Sequence, residues 1–386
     1  MEKKPLTLTI RIPFCPERCG YCDHAVETGV PSAQKLSYVH ALYREMESVA
    51  PEMADHEVTS VCVTGGALSS IGGPLLKELL TNVKNAFSVS ETCEYVLHMI
   101  PRGVSISLLN ALREFTGGRP TLRLQFEQET VDPFLHLGLK QTFPLGSLEE
   151  TLSLMENVPS IFTGVNLLYG LQGQGIPQLR ASFGACIEGG VSFLSLAPLR
   201  LTPGTCVEQE YTLRQKDASS SPRYQFPSPQ KVQAMYEDAL SQLENRGYER
   251  LTWHFFAKKS ASSRLISDTI SAVDELGLGL GASSHFDGLQ YKNTSSLPLY
   301  VSHADDFEKI LVSAGPVSDE EEARRYLSRA LESPKGISLS HFTARFGKVP
   351  GEASSVLKDW EAAGFLVREG DFLRLTPAGA CQGLGL

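Results

Sequence analysis

The stretch that decides the fold reads Cys15-Pro16-Glu17-Arg18-Cys19-Gly20-Tyr21-Cys22 and directly follows the strand-like run Leu6–Ile12. Thiolates hold iron–sulfur clusters, and a cubane with four thiolate ligands has every iron saturated. Three thiols at this spacing leave one iron open to a second molecule, and an open coordination position distinguishes catalytic metal sites from structural ones. We therefore predict that Cys15, Cys19 and Cys22 hold a [4Fe–4S] cluster.

A zinc knuckle is the alternative reading of the same residues. Zinc prefers a fourth ligand close by, and Asp23 and His24 stand next to the third thiol. The remaining cysteines are scattered along the chain, several of them in apolar runs, and are expected to be small buried hydrophobes in a reducing compartment. These are Cys62, Cys93, Cys186, Cys206 and Cys381.

Composition limits the class of protein. The 386 residues are 42% hydrophobic and 20% charged, which is typical of a globular chain, and the net charge is −9. An acidic chain without a basic stripe argues against a nucleic-acid partner. No apolar stretch reaches the roughly 18 residues of a membrane-spanning helix, and no signal peptide is recognisable. We predict a cytoplasmic protein without a transmembrane segment.

The order of the elements indicates an α/β fold. Short β-branched runs alternate with amphipathic stretches, as in a parallel sheet covered by helices. Six such repeats predict a partial (β/α)6 barrel over residues 1–203, whose site lies at the carboxyl ends of the strands. The predicted strands are Thr7–Ile12, Thr59–Thr64, Tyr95–Met99, Thr121–Phe126, Gly164–Tyr169 and Phe193–Leu199.

The second half of the chain has a different character. Residues 204–231 are rich in Ser, Pro and Gln, including Ser219–Pro222, and are predicted to be a linker or lid. Residues 232–315 are predicted to be a C-terminal α+β extension that packs on the barrel. Residues 316–386 have a helix–helix–helix–hairpin pattern, which predicts a winged-helix-like module. Acidic residues on its third helix argue against DNA binding.

The flanks of the cysteine loop narrow the assignment. Ile12-Pro13-Phe14 precedes the first thiol, Tyr21 precedes the third, and Asp23 follows it. This pattern resembles the radical S-adenosylmethionine (SAM) family, in the branch that holds oxygen-independent coproporphyrinogen III oxidases and the related heme chaperones. The resemblance implies a [4Fe–4S] cluster whose open iron chelates SAM. It also implies reductive cleavage of SAM to a 5'-deoxyadenosyl radical and an electron donor such as flavodoxin or ferredoxin.

The resemblance also implies a set of SAM-contacting residues. His98 stands where the family has a ribose-binding Glu, and Asn166 stands where it has an Asp, so two carboxylates are replaced. Ala67 and Leu68 replace a Thr-Pro pair after the glycines. The sequence therefore predicts a softened SAM pocket. The residues carried over as SAM contacts are Tyr21, Thr64, Gly65, Gly66, His98, Gln128 and Asn166.

Within the branch, the residues favour the heme-chaperone-like group. The arm before Cys15 is short, and His24 stands where the oxidases carry a further cysteine. The expected function is the handling of heme or a related tetrapyrrole, with heme as a possible further cofactor. A His-Asn-Leu-x-Tyr-Trp segment associated with heme handling is absent, which predicts that heme either binds weakly or binds in a way that depends on His254 or His285. Arg123 and Arg200 are available to bind its carboxylates, but nothing in the sequence assigns them that role.

Two other functions stay open on the sequence. One is a coproporphyrinogen-oxidase-like methyltransferase, or another radical enzyme acting on a small substrate. The other is a cluster-bearing binding protein that does not cleave SAM. The sequence assigns no catalytic residue, and it leaves open whether the chain is an enzyme, although radical chemistry is favoured.

Overall fold

The computed structural model describes residues 3–141, 147–215 and 225–382. At its centre is a sheet that has twelve strands within these residues. The strands that follow one another across its middle are parallel, and the α/β fold and the open barrel are confirmed. These central strands are β1 (Lys4–Ile12), β4 (His56–Gly65), β5 (Val89–Met99), β6 (Leu122–Glu127), β7 (Ile161–Tyr169) and β8 (Phe193–Pro198).

Helices cover the outer face of this sheet. Strand β1 shows why, because Leu6, Leu8, Ile10 and Ile12 are fully buried against the helices while the alternate side chains face the inside of the barrel. The covering helices are α1 (Ser32–Val49), α2 (Gly73–Ala86), α3 (Ile106–Thr116), α5 (Ser147–Met155) and α6 (Ile176–Glu188). The short helix α4 (Pro133–Gly138) instead contributes to a separate small apolar cluster with Leu139 and Leu171.

The predicted linker contains a helix, α7 (Cys206–Gln215), whereas the Ser219–Pro222 stretch lies outside the described residues. Beyond it, α8 (Pro229–Asn245) precedes two short strands that extend one edge of the sheet. The run predicted over Tyr248–Ala257 is divided between β9 (Tyr248–Arg250) and β10 (Phe255–Lys258), which are antiparallel.

The other edge of the sheet is completed by residues far along the chain. β11 (Asp274–Gly279) pairs in parallel with β1, so a further parallel strand joins those predicted. Antiparallel strands continue this edge outward, and short helices accompany them. They are β12 (Ser283–Phe286), β13 (Leu289–Asn293) and β14 (Leu311–Pro316), with α9 (Arg264–Ile270), α10 (Leu297–His303) and α11 (Phe307–Ile310).

The C-terminal module has the predicted winged-helix-like arrangement. A small sheet of β15 (Ile337–Ser338), β16 (Leu366–Glu369) and β17 (Phe372–Leu375) packs with helices before, between and after its strands. The two-stranded sheet of β2 (Phe14–Cys15) and β3 (Glu27–Thr28) brackets the cysteine loop. The module helices are α12 (Asp319–Leu331), α13 (Leu339–Phe346), α14 (Gly351–Ala362) and α15 (Pro377–Gln382). No helix among the described residues is long and apolar enough to cross a membrane.

A buried carboxyl group ties α1 to the late edge of the sheet. Glu45 is fully buried and accepts hydrogen bonds from the Gly279 N–H at 2.8 Å, from the Tyr300 hydroxyl and from the Asn293 amide. Burial raises the pKa of Glu45 to about 7, although these three donors oppose the shift. Disrupting a buried network of this kind lowers the free energy of unfolding, because a buried donor that loses its partner cannot form a hydrogen bond with water instead.

We expect Glu45 to make the stability of the fold fall as the pH rises from about 4.5 to about 7. The group titrates near 4.5 in the unfolded chain, so between about 4.5 and 7 the unfolded chain loses a proton that the folded chain keeps. This gap corresponds to about 3 kcal/mol. Urea unfolding of the wild type and Glu45→Gln between pH 4.5 and 8 tests this prediction. The free energy of unfolding of the wild type should fall by up to about 3 kcal/mol relative to that of the variant. The control is Glu47→Gln, at an exposed position on the same helix. If the unfolding free energies of the wild type and Glu45→Gln changed in parallel with pH, the prediction would be contradicted.

Candidate functional site

The cysteine loop leaves β1 at the carboxyl edge of the sheet and is held from several sides. The Arg18 guanidinium donates to the carbonyls of His24 at 3.2 Å and Val26 at 3.3 Å. The Gly20 N–H donates to the Leu139 carbonyl at 2.8 Å, and the Val207 N–H of α7 donates to the Gly20 carbonyl at 3.0 Å. The loop is thus fixed by its own chain, by the end of α4 and by the helix inside the predicted linker.

The three loop thiols line one cavity. Cys15, Cys19 and Cys22 are partly exposed and face the same opening as Thr64, Gly65 and Gly66. Burial raises the pKa of each thiol, to about 12 for Cys19, where the nearby Glu129 carboxylate adds to the effect. The free thiols are therefore protonated near neutral pH, and metal binding would release their protons.

A buried polar group supports the loop from below. The Tyr21 hydroxyl donates to one oxygen of Glu129, and the Gln141 amide donates to the other at 2.6 Å. The same amide lies 3.7 Å from the Cys19 sulfur. Glu129 and Gln141 were not predicted, and Tyr21 was predicted as a SAM contact. In the structure Tyr21 lines the cavity and at the same time anchors the loop.

The two glycines at the end of β4 are required by a close approach of two backbone segments. The Gly66 N–H donates to the Ile12 carbonyl at 2.6 Å, and a Cβ on Gly66 would lie 2.4 Å from the Phe14 carbonyl oxygen. Gly65 has φ +111, a conformation that favours glycine. The segment lies against the cysteine loop and lines the cavity, and its contact with SAM stays a prediction. The glycines are needed for chain packing whether or not a ligand is bound.

His98 and Asn166 both contact the carboxylate of Glu127, which is not among the predicted site residues. The His98 Nδ1 lies 2.7 Å from one oxygen of Glu127, and the Asn166 amide donates to that oxygen at 2.8 Å. Burial by itself would lower the pKa of His98, but hydrogen bonding and charge from Cys62 and Glu127 raise it to about 10. Burial opposes ionisation of Glu127 as well, yet its contacts with His98 lower its pKa. The two groups therefore form an ion pair at the cavity wall.

The structure does not bring Gln128 to the cavity. Side chains alternate along an extended segment, so Glu127 and Glu129 face the cavity while Gln128 faces the other way. Gln128 is fully buried, and its amide donates to the Thr130 carbonyl at 2.7 Å. The alternation was visible in the sequence as Glu-Gln-Glu at the end of a predicted strand, and it was the signal that could have identified both carboxylates.

A wider groove opens beside the cavity and shares Cys15, Ala67 and Ile100 with it. Lys35 and Arg102 line this groove. The suggestion that Arg123 is available for a ligand carboxylate is wrong. Arg123 is 1% exposed, lies 3.6 Å from the Glu94 carboxylate, and packs on aromatic rings in the interior.

The two histidines considered as heme ligands are engaged elsewhere. The ring nitrogens of His254 lie 3.1 Å from the carbonyl oxygens of Leu196 and Ala380, and burial lowers its pKa to about 4. His285 is paired with Glu322 of the C-terminal module. Neither histidine lines the cavity or the adjoining groove.

Comparison with known proteins adds to this geometry. Residues 317–381 match the model of the HemN C-terminal domain. The chain is 24% identical to the heme chaperone HemW of Bacillus subtilis (strain 168) over 378 residues, which cover 97% of this chain and 96% of that protein. It is 21% identical to the oxygen-independent coproporphyrinogen III oxidase of Salmonella typhimurium over 341 residues, 85% of this chain and 72% of the oxidase.

A solved structure confirms the fold. The coproporphyrinogen III oxidase HemN of Escherichia coli, described as a radical SAM enzyme, superposes with a TM-score of 0.80 at 17% identity, covering 99% of this chain and 89% of that one. The predicted resemblance is thereby confirmed at the level of the family. The matched C-terminal domain, the heme chaperone relatives and the shared fold together support the radical SAM HemN/HemW-like family for this chain.

Proposed function

We propose that this chain is a [4Fe–4S] radical SAM protein that handles heme or a related tetrapyrrole. The observation that carries the proposal is the convergence of three thiols, a glycine segment and a histidine–carboxylate pair on one cavity. Cys15, Cys19 and Cys22 would hold the cluster, and an electron donor such as flavodoxin or ferredoxin would reduce it. In this family the bound cluster and SAM together supply a 5'-deoxyadenosyl radical.

The spacing of the thiols fits a cluster better than a single zinc ion. A tetrahedral zinc with bonds of about 2.3 Å needs sulfurs about 3.8 Å apart. In the described part of the chain, at least two of the three loop sulfurs lie more than 4.8 Å apart. A cubane separates its thiolates more widely because each binds a different iron.

The cavity wall supports SAM binding by groups that differ from the predicted set. The glycine segment forms one wall of the cavity with its backbone, whose Gly66 and Ala67 N–H groups are already donated to the carbonyls of Ile12 and Phe14. The Glu127 carboxylate, held by His98 and Asn166, is placed to accept hydrogen bonds from hydroxyl groups. Glu127 therefore supplies a carboxylate in a pocket where His98 and Asn166 themselves provide none.

The adjoining groove supports a substrate with carboxylate groups. It is open and shares a wall with the cavity, and its two cationic side chains, Lys35 and Arg102, outnumber its one carboxylate, Glu17, in a chain that is acidic overall. Arg and Lys are the side chains that pair with carboxylates. A tetrapyrrole with its propionate groups has the flat apolar body and the anionic rim that this groove would accept.

The test combines SAM turnover with heme titration. Anaerobically reconstituted and reduced protein should release 5'-deoxyadenosine from SAM, and heme should give a saturable Soret change. The double variant Lys35→Met/Arg102→Met should bind heme roughly tenfold or more weakly, since a hydrogen bond to a charged group contributes about 1.5–3 kcal/mol. Arg113→Met, on exposed α3, is the matched control.

The outcomes separate the open functions. Heme affinity that is unchanged in the double variant would contradict the assignment of the groove. A methylated product formed from SAM would favour the methyltransferase instead. Cluster assembly with heme binding but without 5'-deoxyadenosine would favour the binding protein that does not cleave SAM.

A further inference from the structure

A second group of metal-ligating side chains lies at the opposite end of the barrel from the cysteine loop. His56 begins β4, Asp274 begins β11, and Asp287 lies in the turn between β12 and β13. Parallel pairing aligns the start of β4 and the start of β11 with the start of β1, whereas the cysteine loop follows the other end of β1. This cluster takes no part in the proposed chemistry.

The distances within the cluster do not match hydrogen bonds. The His56 Nε2 lies 3.6 Å from Oδ2 of Asp274 and 3.6 Å from Oδ2 of Asp287. These separations exceed the usual range of about 2.7–3.2 Å for an N–H donor and an oxygen acceptor. One ligand atom from each residue lies within 4.8 Å of the other two.

The same distances fit three ligands that share one metal ion. With bonds of about 2.1 Å to nitrogen and oxygen, two ligands of a tetrahedral ion lie about 3.4 Å apart. Imidazole with carboxylates is a donor set that first-row divalent ions accept. Other ligands of such an ion would come from solvent, because Asp274 is only partly buried and Asp287 is exposed.

The histidine supplies the second, independent observation. His56 is 2% exposed, and neither of its ring nitrogens has a hydrogen-bond partner. A buried polar group without a partner costs about 1–3 kcal/mol, so its presence calls for a ligand. The Phe286 ring meets the imidazole edge-on at 6.4 Å between centroids and holds it towards the carboxylates.

The charged side chains at the cluster have a net negative charge, which favours the binding of a cation. Lys4 pairs with the other oxygen of Asp287, Oδ1, so it orients that carboxylate and leaves Oδ2 facing His56. The Asp287 N–H lies 3.4 Å from Oδ2 of Asp274, which holds the second carboxylate at the turn. The two carboxylates and the Lys4 ammonium together leave a net charge of −1 beside the imidazole.

We propose that His56, Asp274 and Asp287 form a binding site for a divalent transition-metal ion such as Zn²⁺ or Mn²⁺. The ion fastens the β12–β13 turn and the start of β11 to the foot of β4. Its role is structural, and it is separate from the cluster at the opposite end of the barrel.

Mn²⁺ is the probe, since thiolates are poor ligands for it and the cysteine loop does not compete. The full chain with its cluster assembled and oxidised is titrated with Mn²⁺, and the free ion is followed by its room-temperature electron paramagnetic resonance signal. Wild type should bind one Mn²⁺ per chain, and Zn²⁺ should displace it. His56→Gln and Asp274→Asn should each abolish the saturable binding, while His40→Gln, an exposed histidine on α1, should leave it intact.

Folding of each variant is checked by its urea midpoint. If His56→Gln does not fold, Asp274→Asn decides, because Asp274 is partly exposed and its amide preserves the shape of the side chain. Absence of saturable Mn²⁺ binding in wild type would overturn the proposal, and so would undiminished binding in the folded variants.

Discussion

Replacing Cys15, Cys19 or Cys22 individually by serine should abolish the cluster. The anaerobically reconstituted wild type should contain about four irons per chain, the content of a cubane, with the matching visible absorbance. Each variant should lose that absorbance, because a serine hydroxyl is a much weaker ligand for cluster iron than a thiolate, and the two remaining thiols leave a second iron without a strong protein ligand. Iron and sulfide analysis after desalting measures the loss.

Cys206→Ser is the matched control, since Cys206 is the exposed cysteine at the start of α7 and stands outside the loop. It should retain wild-type iron. Full occupancy by zinc in the wild type, or iron retained at four per chain in any of the three loop variants, would refute the cluster assignment.

Glu127→Gln should weaken SAM binding about tenfold. The carboxylate takes hydrogen bonds from His98 and Asn166 and faces the cavity, and the substitution removes its charge while keeping its shape. A charge-assisted hydrogen bond contributes about 1.5–3 kcal/mol and a neutral one about 1, so one such contact is worth about one decade in affinity. Isothermal titration of the reconstituted protein measures it, with Glu149→Gln on α5 as the control.

The double variant His98→Glu/Asn166→Asp discriminates further. On the sequence alone it should tighten SAM binding, because it restores the carboxylates that the family has. In the structure it would place two more carboxylates against Glu127 and remove the imidazolium that pairs with it. Like charges this close repel, so we expect weaker SAM binding and a lower melting temperature. Tighter binding in the double variant would show that Glu127 does not take the place of those carboxylates.

The parts predicted from sequence are those that local pattern determines. The alternation in β1 and the β-branched runs after it identify the parallel strands, and thiol spacing with its flanks identifies the loop. The pairing of β11 with β1 was not predicted, because it depends on contacts such as that of Thr9 with Glu275, 266 positions along the chain. No local pattern reports a partner that distant.

The candidate site divides in the same way. The loop and the glycine segment follow from residue types at fixed spacing. The sequence does not identify Glu127, Glu129 and Gln141, because their role depends on which way each side chain faces. Gln128 was predicted from the position of the matching residue in the family that the chain resembles. The helix α7 was missed because Ser- and Pro-rich composition nearby dominated the reading of residues 204–231.

The late pairing of β1 has a consequence for the order in which the protein matures on the ribosome. One edge of β1 can pair with β4 soon after synthesis, but its other edge waits until Asp274–Gly279 has emerged. At roughly 5–20 residues per second that wait is on the order of 15–50 s, during which an apolar strand edge stays open to misassembly. The contact of Val207 with Gly20 likewise cannot form before α7 is made. A cluster inserted into the nascent chain before that point would therefore bind a loop that lacks part of its support. We expect cluster insertion to follow the synthesis of α7, which lies just past the middle of the chain.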